Sequence, residues 1–137
     1  MPPVFPLTIM TPEQIVFRGR ARSLVAPGAE GYFGVLAHHA PMVAELQTGR
    51  LSFVEEAGGR KLFALSSGIL ETGGNQVTIL ADSMETAEEI DVSRARAAER
   101  RARERLSRHG EDIDVARAQA ALQRALNRLR AAEEARE

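Results

Sequence analysis

Short apolar runs alternate with turn residues over the first 84 residues of the chain. The run at 51–55 alternates apolar with polar positions, and Gly58 and Gly59 separate it from the next run, a pattern typical of a β-hairpin. Runs of this length, divided by glycine, proline and asparagine, indicate an antiparallel sheet. They lie at 5–10, 14–18, 22–26, 51–55, 61–65, 68–71 and 76–80. So many short strands favour two packed sheets around one core, and we predict an antiparallel β-sandwich over residues 1–84.

The pattern becomes helical near residue 90. From Asp91 onward there is no proline and one glycine, and apolar residues recur at intervals of three and four. The Ile-Asp-Val at 90–92 recurs at 113–115, and each copy predicts a helix start, because an aspartate accepts hydrogen bonds from the free N–H groups of a first turn. The segment 107–112 predicts a polar turn. We therefore predict a linker at 85–90 and an antiparallel two-helix hairpin over 91–137.

The apolar stripes of the two helices are rich in alanine. A methyl group buries far less area than a leucine side chain, and burial is worth roughly 25 cal/mol per Å². The hairpin is therefore expected to dock weakly, which would permit it to detach. The stripe of the first helix is Ala95, Ala98, Ala102 and Leu106, and that of the second is Val115, Ala118, Leu122, Ala125, Leu126 and Leu129.

Arginines share a face on each predicted helix. In a hairpin the two sets would converge on an anion, since guanidinium groups suit bidentate contact with carboxylate or phosphate. The alternative is a solvated face with pairs such as Glu99 and Arg103. Asp91, at the helix start, is interpreted as both a cap and a ligand clamp together with the first arginine. The arginines are Arg94 and Arg101 on the first helix and Arg117, Arg124 and Arg128 on the second.

Composition narrows the classes of function. The 137 residues are 44% hydrophobic and carry a net charge of -1, divided between -4 up to Ile90 and +3 from Asp91 onward. No apolar run approaches the roughly 20 residues of a membrane-spanning helix, and no leader pattern precedes the first strand, so neither insertion nor export is predicted. The absence of cysteine excludes disulfides and thiolate metal sites.

Candidate catalytic, metal and nucleic-acid sites are weak. His38 and His39 are adjacent but lack a third ligand at motif spacing, so no metal site is predicted. The basic residues are interleaved with acidic ones and Tyr32 is the single tyrosine, which disfavours nucleic-acid binding. Nucleophile triads, phosphate-binding loops and paired catalytic carboxylates are not recognisable, and no catalytic residue is predicted.

Four segments carry a family resemblance. The glycine-spaced segment 28–42, the Ser-Gly-Ile-Leu-Glu at 67–71, the strand at 77–82 and the junction at 90–95 resemble the epsilon subunit of bacterial F-type ATP synthases over essentially the whole chain. The resemblance implies a non-catalytic rotor subunit, peripheral at the cytoplasmic face of the membrane, whose sandwich binds the gamma subunit and the loops of the c-ring. The implied partner contacts are Glu30, Gly31, Tyr32, Phe33 and His39 in the sandwich and Arg117 in the second helix.

The resemblance also implies that the hairpin is a regulatory arm. It lies folded, or it extends into the catalytic head of alpha and beta subunits and blocks ATP hydrolysis. No cofactor is required, but ATP is implied as a regulatory ligand of the folded arm; the alternative is an arm that binds only protein. The residues that match the family's ATP contacts are Glu85, Ile90, Asp91, Arg94, Ala95, Arg101, Arg124 and Arg128.

Overall fold

A computed structural model of the chain describes residues 2–108 and 114–137. The described chain forms two compact units, the first ending at Thr86 and the second beginning at Ala87. The β-sandwich and the helical hairpin predicted from the sequence are both confirmed. The structure of the turn predicted at 107–112 lies mostly outside the described residues.

The first unit is built from β-strands joined into one hydrogen-bonded sheet. Its order is β1-β8-β7-β4-β2-β5-β6-β9, with β3 paired to β2 and a further pairing between β1 and β2. The strands are β1 (Phe5–Met10), β2 (Ile15–Gly28), β3 (Gly31–Leu36), β4 (Met42–Leu46), β5 (Gly49–Glu55), β6 (Arg60–Leu65), β7 (Gly68–Gly73), β8 (Gln76–Ala81) and β9 (Met84–Thr86).

Strand β2 connects the two parts of the sandwich. Its first half pairs with β1, and its second half pairs with β3 on one edge and β5 on the other. The predicted break at Gly19 is wrong, because Gly19 lies within β2, opposite Leu7. A side chain at Gly19 would come within 2.9 Å of the ring of Phe17, so the glycine makes room for that ring.

The sequence predicted an antiparallel sheet, but one pairing in the structure is parallel. Strand β1 runs parallel to β8, with Leu7 opposite Val77, and this pairing closes the sheet onto its own first strand. The short β9 also departs from the prediction: it occupies the start of the predicted linker because Glu85 pairs with Ala64 of β6. The rest of that linker is a 3-10 turn at Ala87–Glu89 and the cap of the first helix.

The core of the first unit is formed by the inward positions of the alternating strands. Phe53 lies at its centre, with its ring centroid 4.6 Å from that of Phe17 and 6.0 Å from that of Phe63. Other fully buried side chains are Phe5, Leu7, Ile9, Leu24, Leu46, Leu51, Leu65, Leu70 and Ile79.

The second unit contains α1 (Val92–Ser107) and α2 (Val115–Ala135), which pack against each other. Asp91 and Asp114 cap the two helices as predicted, accepting hydrogen bonds from the backbone N–H groups of Arg94 and Arg117 at 3.1 and 3.0 Å. The predicted stripes need one correction: Val115, in the first turn of α2, is 53% exposed. The stripe of α2 instead continues to its end through Ala131 and Ala132, both buried.

Substitution of Gly68 tests the packing of the sheet. Gly68 pairs with Leu46 on one side and Ala81 on the other, and a Cβ there would overlap the backbone oxygen of Leu80. Because the atoms that it would meet belong to the paired backbone of β8 and cannot move freely, Gly68→Ala is expected to lower the free energy of unfolding by about 3 kcal/mol. Thermal unfolding measures this loss. Gly73→Ala in the same strand is the matched control, since its Cβ would meet nothing within 4 Å, and an equal loss in both variants would contradict the packing assigned here.

Candidate functional site

The start of α1 separates buried from exposed residues. Ile90 and Ala95 are buried, whereas Asp91 and Arg94 are exposed. Oδ1 of the Asp91 carboxylate accepts the capping hydrogen bond, and the side chain as a whole is exposed. The cap predicted for Asp91 is therefore present, and its role in holding a ligand together with Arg94 stays a prediction.

Alanines seven residues apart form a buried seam in the hairpin. In α1 the seam positions are Ala95 and Ala102, and in α2 they are Ala118, Ala125 and Ala132. Small side chains allow close approach of two helix axes, and the seven-residue interval keeps the same face of each helix at the contact. The fully buried positions of the seam thus carry methyl groups, which bury little apolar area, whereas the stripe leucines are only half-buried: Leu106, Leu122, Leu126 and Leu129.

Exposed arginines precede the seam alanines on both helices. Arg94 and Arg101 stand one position before the seam in α1, and Arg117 and Arg124 do so in α2. In an antiparallel helix pair, positions that flank the seam in the same sense lie on the same side of the contact. By this geometry the two pairs of arginines lie on one flank of the hairpin, and anion binding at this flank stays a prediction.

The other residues that are predicted to contact ATP differ in their exposure and in the unit to which they belong. Arg128 is also exposed and interacts with another residue of the chain. Glu85 is half-buried in β9 and belongs to the first unit, where its backbone pairs with Ala64. Arg103, outside this set, forms the predicted ion pair with Glu99 at 3.0 Å, which shows that part of the arginine surface is ordinary solvated helix.

Two substitutions of Asp91 separate the effect of losing the helix cap from the effect of losing the negative charge. Asp91→Ala is expected to lower the free energy of unfolding of the hairpin by about 1 kcal/mol through loss of the cap. Asp91→Asn keeps an equally good cap and removes only the charge. Thermal unfolding followed by helical circular dichroism measures the difference. Equal destabilisation by both substitutions would contradict the assignment of Asp91 as a simple cap in the unliganded chain.

The segment around Glu30 is the turn of a β-hairpin formed by β2 and β3. Gly28 pairs with Gly31, whose φ of +132° lies in a region that suits glycine, and Tyr32 and Phe33 belong to β3. A surface cavity of about 530 Å³ lies between this turn and β4. Its lining residues are Gly28 to Phe33 and Met42 to Glu45.

Tyr32 is held in place at the edge of this cavity. Its hydroxyl oxygen accepts a hydrogen bond from the backbone N–H of Arg50 at 3.0 Å, and the Arg50 guanidinium lies 5.5 Å from the ring centroid. His39 is half-buried, with Nδ1 2.7 Å from the Ala40 carbonyl oxygen, which also accepts a hydrogen bond from Thr72 Oγ1 at 2.7 Å. Glu30, Gly31 and Tyr32 are thus exposed, Phe33 and His39 are half-buried, and the partner contacts predicted for these residues stay predictions.

A row of exposed apolar side chains on neighbouring strands was not predicted from the sequence. Strand register places Ile69 opposite Leu80, Leu80 beside Met10, and Met10 opposite Ile15, so that the row crosses four strands. We call these four residues the outer stripe; Ile69, Leu80 and Ile15 are 44%, 49% and 49% exposed. Exposed apolar residues that are contiguous mark interaction surfaces more often than scattered ones do. Val43, on β4, is also strongly exposed.

Within the described parts of the chain, no cluster of three or more histidine, cysteine, aspartate or glutamate side chains has a geometry suited to a metal ion. Among those same residues, no helix has the length and apolar character needed to cross a bilayer.

Comparisons with known proteins match both units. Residues 4–87 match a family described as ATP synthase, Delta/Epsilon chain, beta-sandwich domain, and residues 88–133 match its long alpha-helix domain. The chain is 46% identical over 127 residues to the ATP synthase epsilon chain of Desulforamulus reducens, covering 93% of this chain and 96% of the relative. It is 45% identical over 130 residues to that of Syntrophomonas wolfei subsp. wolfei, with 95% of each chain covered.

Solved structures share the fold. A chain of the Euglena gracilis mitochondrial ATP synthase complex of OSCP, F1 and c-ring superposes with a TM-score of 0.80 at 23% identity, over 95% of this chain and 79% of that one. A chain of the Tetrahymena thermophila mitochondrial ATP synthase central stalk and c-ring gives a TM-score of 0.55 at 17% identity, over 96% of each chain.

Proposed function

The chain belongs to the ATP synthase delta/epsilon chain family, and from this premise we propose that it couples the rotating stalk to the proton-driven ring and senses ATP through its hairpin. Members of this family are non-catalytic subunits of the central stalk. The proposal assigns one task to each surface described above. It places the chain at the cytoplasmic face of the membrane, as a peripheral part of the complex.

The first unit supplies two docking surfaces. The outer stripe offers contiguous apolar area for the gamma subunit, and burying such area is the main favourable term in protein association. The turn at Glu30 and Gly31, with Tyr32 beside the cavity, contacts the polar loops of the c-ring. Tyr32 suits an interface because its ring is apolar and is already ordered by Arg50, so little side-chain entropy is lost on binding.

The hairpin binds ATP along its arginine flank. The observation that carries this proposal is that exposed arginines stand one position before buried alanines on both helices. Guanidinium groups from the two helices contact the phosphates, and Asp91 and the backbone at the start of α1 hold the base. A ligand that contacts both α1 and α2 binds only while the two helices are packed together, so bound ATP stabilises the closed hairpin.

The free energy of ATP binding is large enough to shift the balance between a closed and an open hairpin, as a switch requires. The alanine seam buries little apolar area, so the closed hairpin is only weakly favoured without ligand. Binding at 100 times the dissociation constant adds about 2.7 kcal/mol, enough to shift a weakly biased two-state equilibrium decisively. When ATP is scarce the arm opens toward the catalytic head, and Arg117, Arg124 and Arg128 contact acidic loops of the beta subunits and inhibit hydrolysis.

Reconstitution tests this function. Membrane vesicles that carry the enzyme without this subunit are supplied with the purified full-length chain, and ATP hydrolysis and proton pumping are measured together over a range of ATP concentrations. The chain is expected to restore pumping per ATP hydrolysed and to inhibit hydrolysis more strongly at low ATP. Failure to restore pumping would contradict the stalk assignment. Restored pumping with inhibition independent of ATP would contradict ATP sensing and favour a hairpin that binds only protein.

A further inference from the structure

Strand β3 has an open edge. Among the strands that the structure describes, β3 pairs with β2 alone, so its other edge presents unpaired backbone N–H and C=O groups. Its six residues include no charged side chain and no proline. Natural proteins ordinarily protect an exposed edge with such residues, because an open edge accepts a further strand.

The outward side chains of β3 complement those of an identical strand. Tyr32 and Leu36 lie on one face, 48% and 65% exposed, with Gly34 between them. In an antiparallel pair, opposed residues share a face of the sheet, so a two-fold axis through Gly34 sets Tyr32 of one copy opposite Leu36 of the other, twice. Aromatic and aliphatic side chains opposed in this way stabilise a sheet.

The register centred on Gly34 matches the apolar side chains of the two strands. A register centred on Phe33 would instead oppose Tyr32 to Gly34 and leave Leu36 without an apolar partner. Apolar matching therefore favours the register centred on Gly34.

We propose that two copies of the free chain associate through antiparallel pairing of their β3 strands, with Gly34 on the two-fold axis. This inference goes beyond the stalk function and does not depend on it. The contact is small, so the association is weak and is observed at high protein concentration. Because the pairing covers Tyr32, the paired form excludes the c-ring contact proposed above.

Cysteine cross-linking tests the pairing directly, since the chain contains no natural cysteine. Opposed residues of an antiparallel pair have Cα atoms about 4.5 to 5.5 Å apart, within the range of a disulfide. Gly34→Cys is therefore expected to form a covalent dimer rapidly under mild oxidation. Val25→Cys is the matched control: it lies opposite Gly34 on the inner strand and is also exposed, but it is one strand removed from the axis. Equal rates for the two variants would overturn the proposal.

Sedimentation of the full-length chain over a range of concentrations provides the second measurement. Gly34→Lys places two like charges opposite each other and is expected to weaken self-association at least about tenfold. Gly34→Thr introduces an uncharged strand-forming residue and should leave association intact. Both fit the monomer, since a Cβ at Gly34 meets only the Leu24 oxygen, at 3.7 Å. A monomeric wild-type chain at every concentration, or equal association of the lysine and threonine variants, would overturn the proposal.

Discussion

Charged substitution in the outer stripe is expected to abolish binding of the chain to the gamma subunit. Ile69 and Leu80 oppose each other on β7 and β8 and are both exposed, so aspartate at the two positions is tolerated by the free chain. In the complex the same carboxylates would be buried without partners, at a cost of several kcal/mol. The double variant Ile69→Asp with Leu80→Asp should therefore bind purified gamma subunit at least about 100-fold more weakly.

The matched control for the stripe is the pair Val25→Asp and Leu36→Asp. These residues are also exposed and apolar, but they lie on β2 and β3, outside the outer stripe. Surface binding measurements with immobilised gamma subunit should give near wild-type affinity for this control. An unchanged affinity in the stripe variant, with its thermal unfolding also unchanged, would place the gamma contact elsewhere on the first unit.

Removal of one arginine from each helix is expected to eliminate most of the affinity for ATP. Arg94 and Arg124 flank the alanine seam from opposite helices, and each is exposed in the free chain. Hydrogen bonds to charged groups contribute about 1.5 to 3 kcal/mol each, so each alanine substitution should weaken binding at least about tenfold and the double variant more than either. Arg103→Ala is the matched control, because Arg103 is an exposed arginine of α1 that is already paired with Glu99.

The same variants distinguish binding from folding. Neither Arg94 nor Arg124 is part of the buried seam, so circular dichroism and thermal unfolding should remain within about 0.5 kcal/mol of wild type. If the double variant bound ATP as well as Arg103→Ala does, the arginine flank would not be the phosphate site. The arginines would then be contacts for the acidic loops of the catalytic head alone.

The helix caps were predictable because their cause is local. An aspartate before a helical pattern needs only the next three residues to act as a cap, and Asp91 and Asp114 both do so. The arginine flank was also readable from the sequence, since each residue's position relative to a buried alanine follows from helical periodicity. The sequence pattern does not identify the ligand of this flank, so ATP binding stays a proposal.

The sheet was less predictable because its pairings are long-range. Gly19 resembles a turn residue in sequence, and only its position beside Phe17 explains why β2 continues through it. The parallel pairing of β1 with β8 joins residues about 70 positions apart, which no local pattern encodes. The outer stripe was missed for the same reason: Ile69 and Leu70 are adjacent and both apolar, and only the register with β8 shows which one faces outward.

Calorimetric titration of the purified full-length chain with ATP measures binding to the hairpin itself. We expect saturable binding by the native chain, weakened at least about tenfold in Arg94→Ala and in Arg124→Ala and unchanged in Arg103→Ala. Absence of binding by the native chain at millimolar ATP would contradict the claim that the hairpin senses ATP.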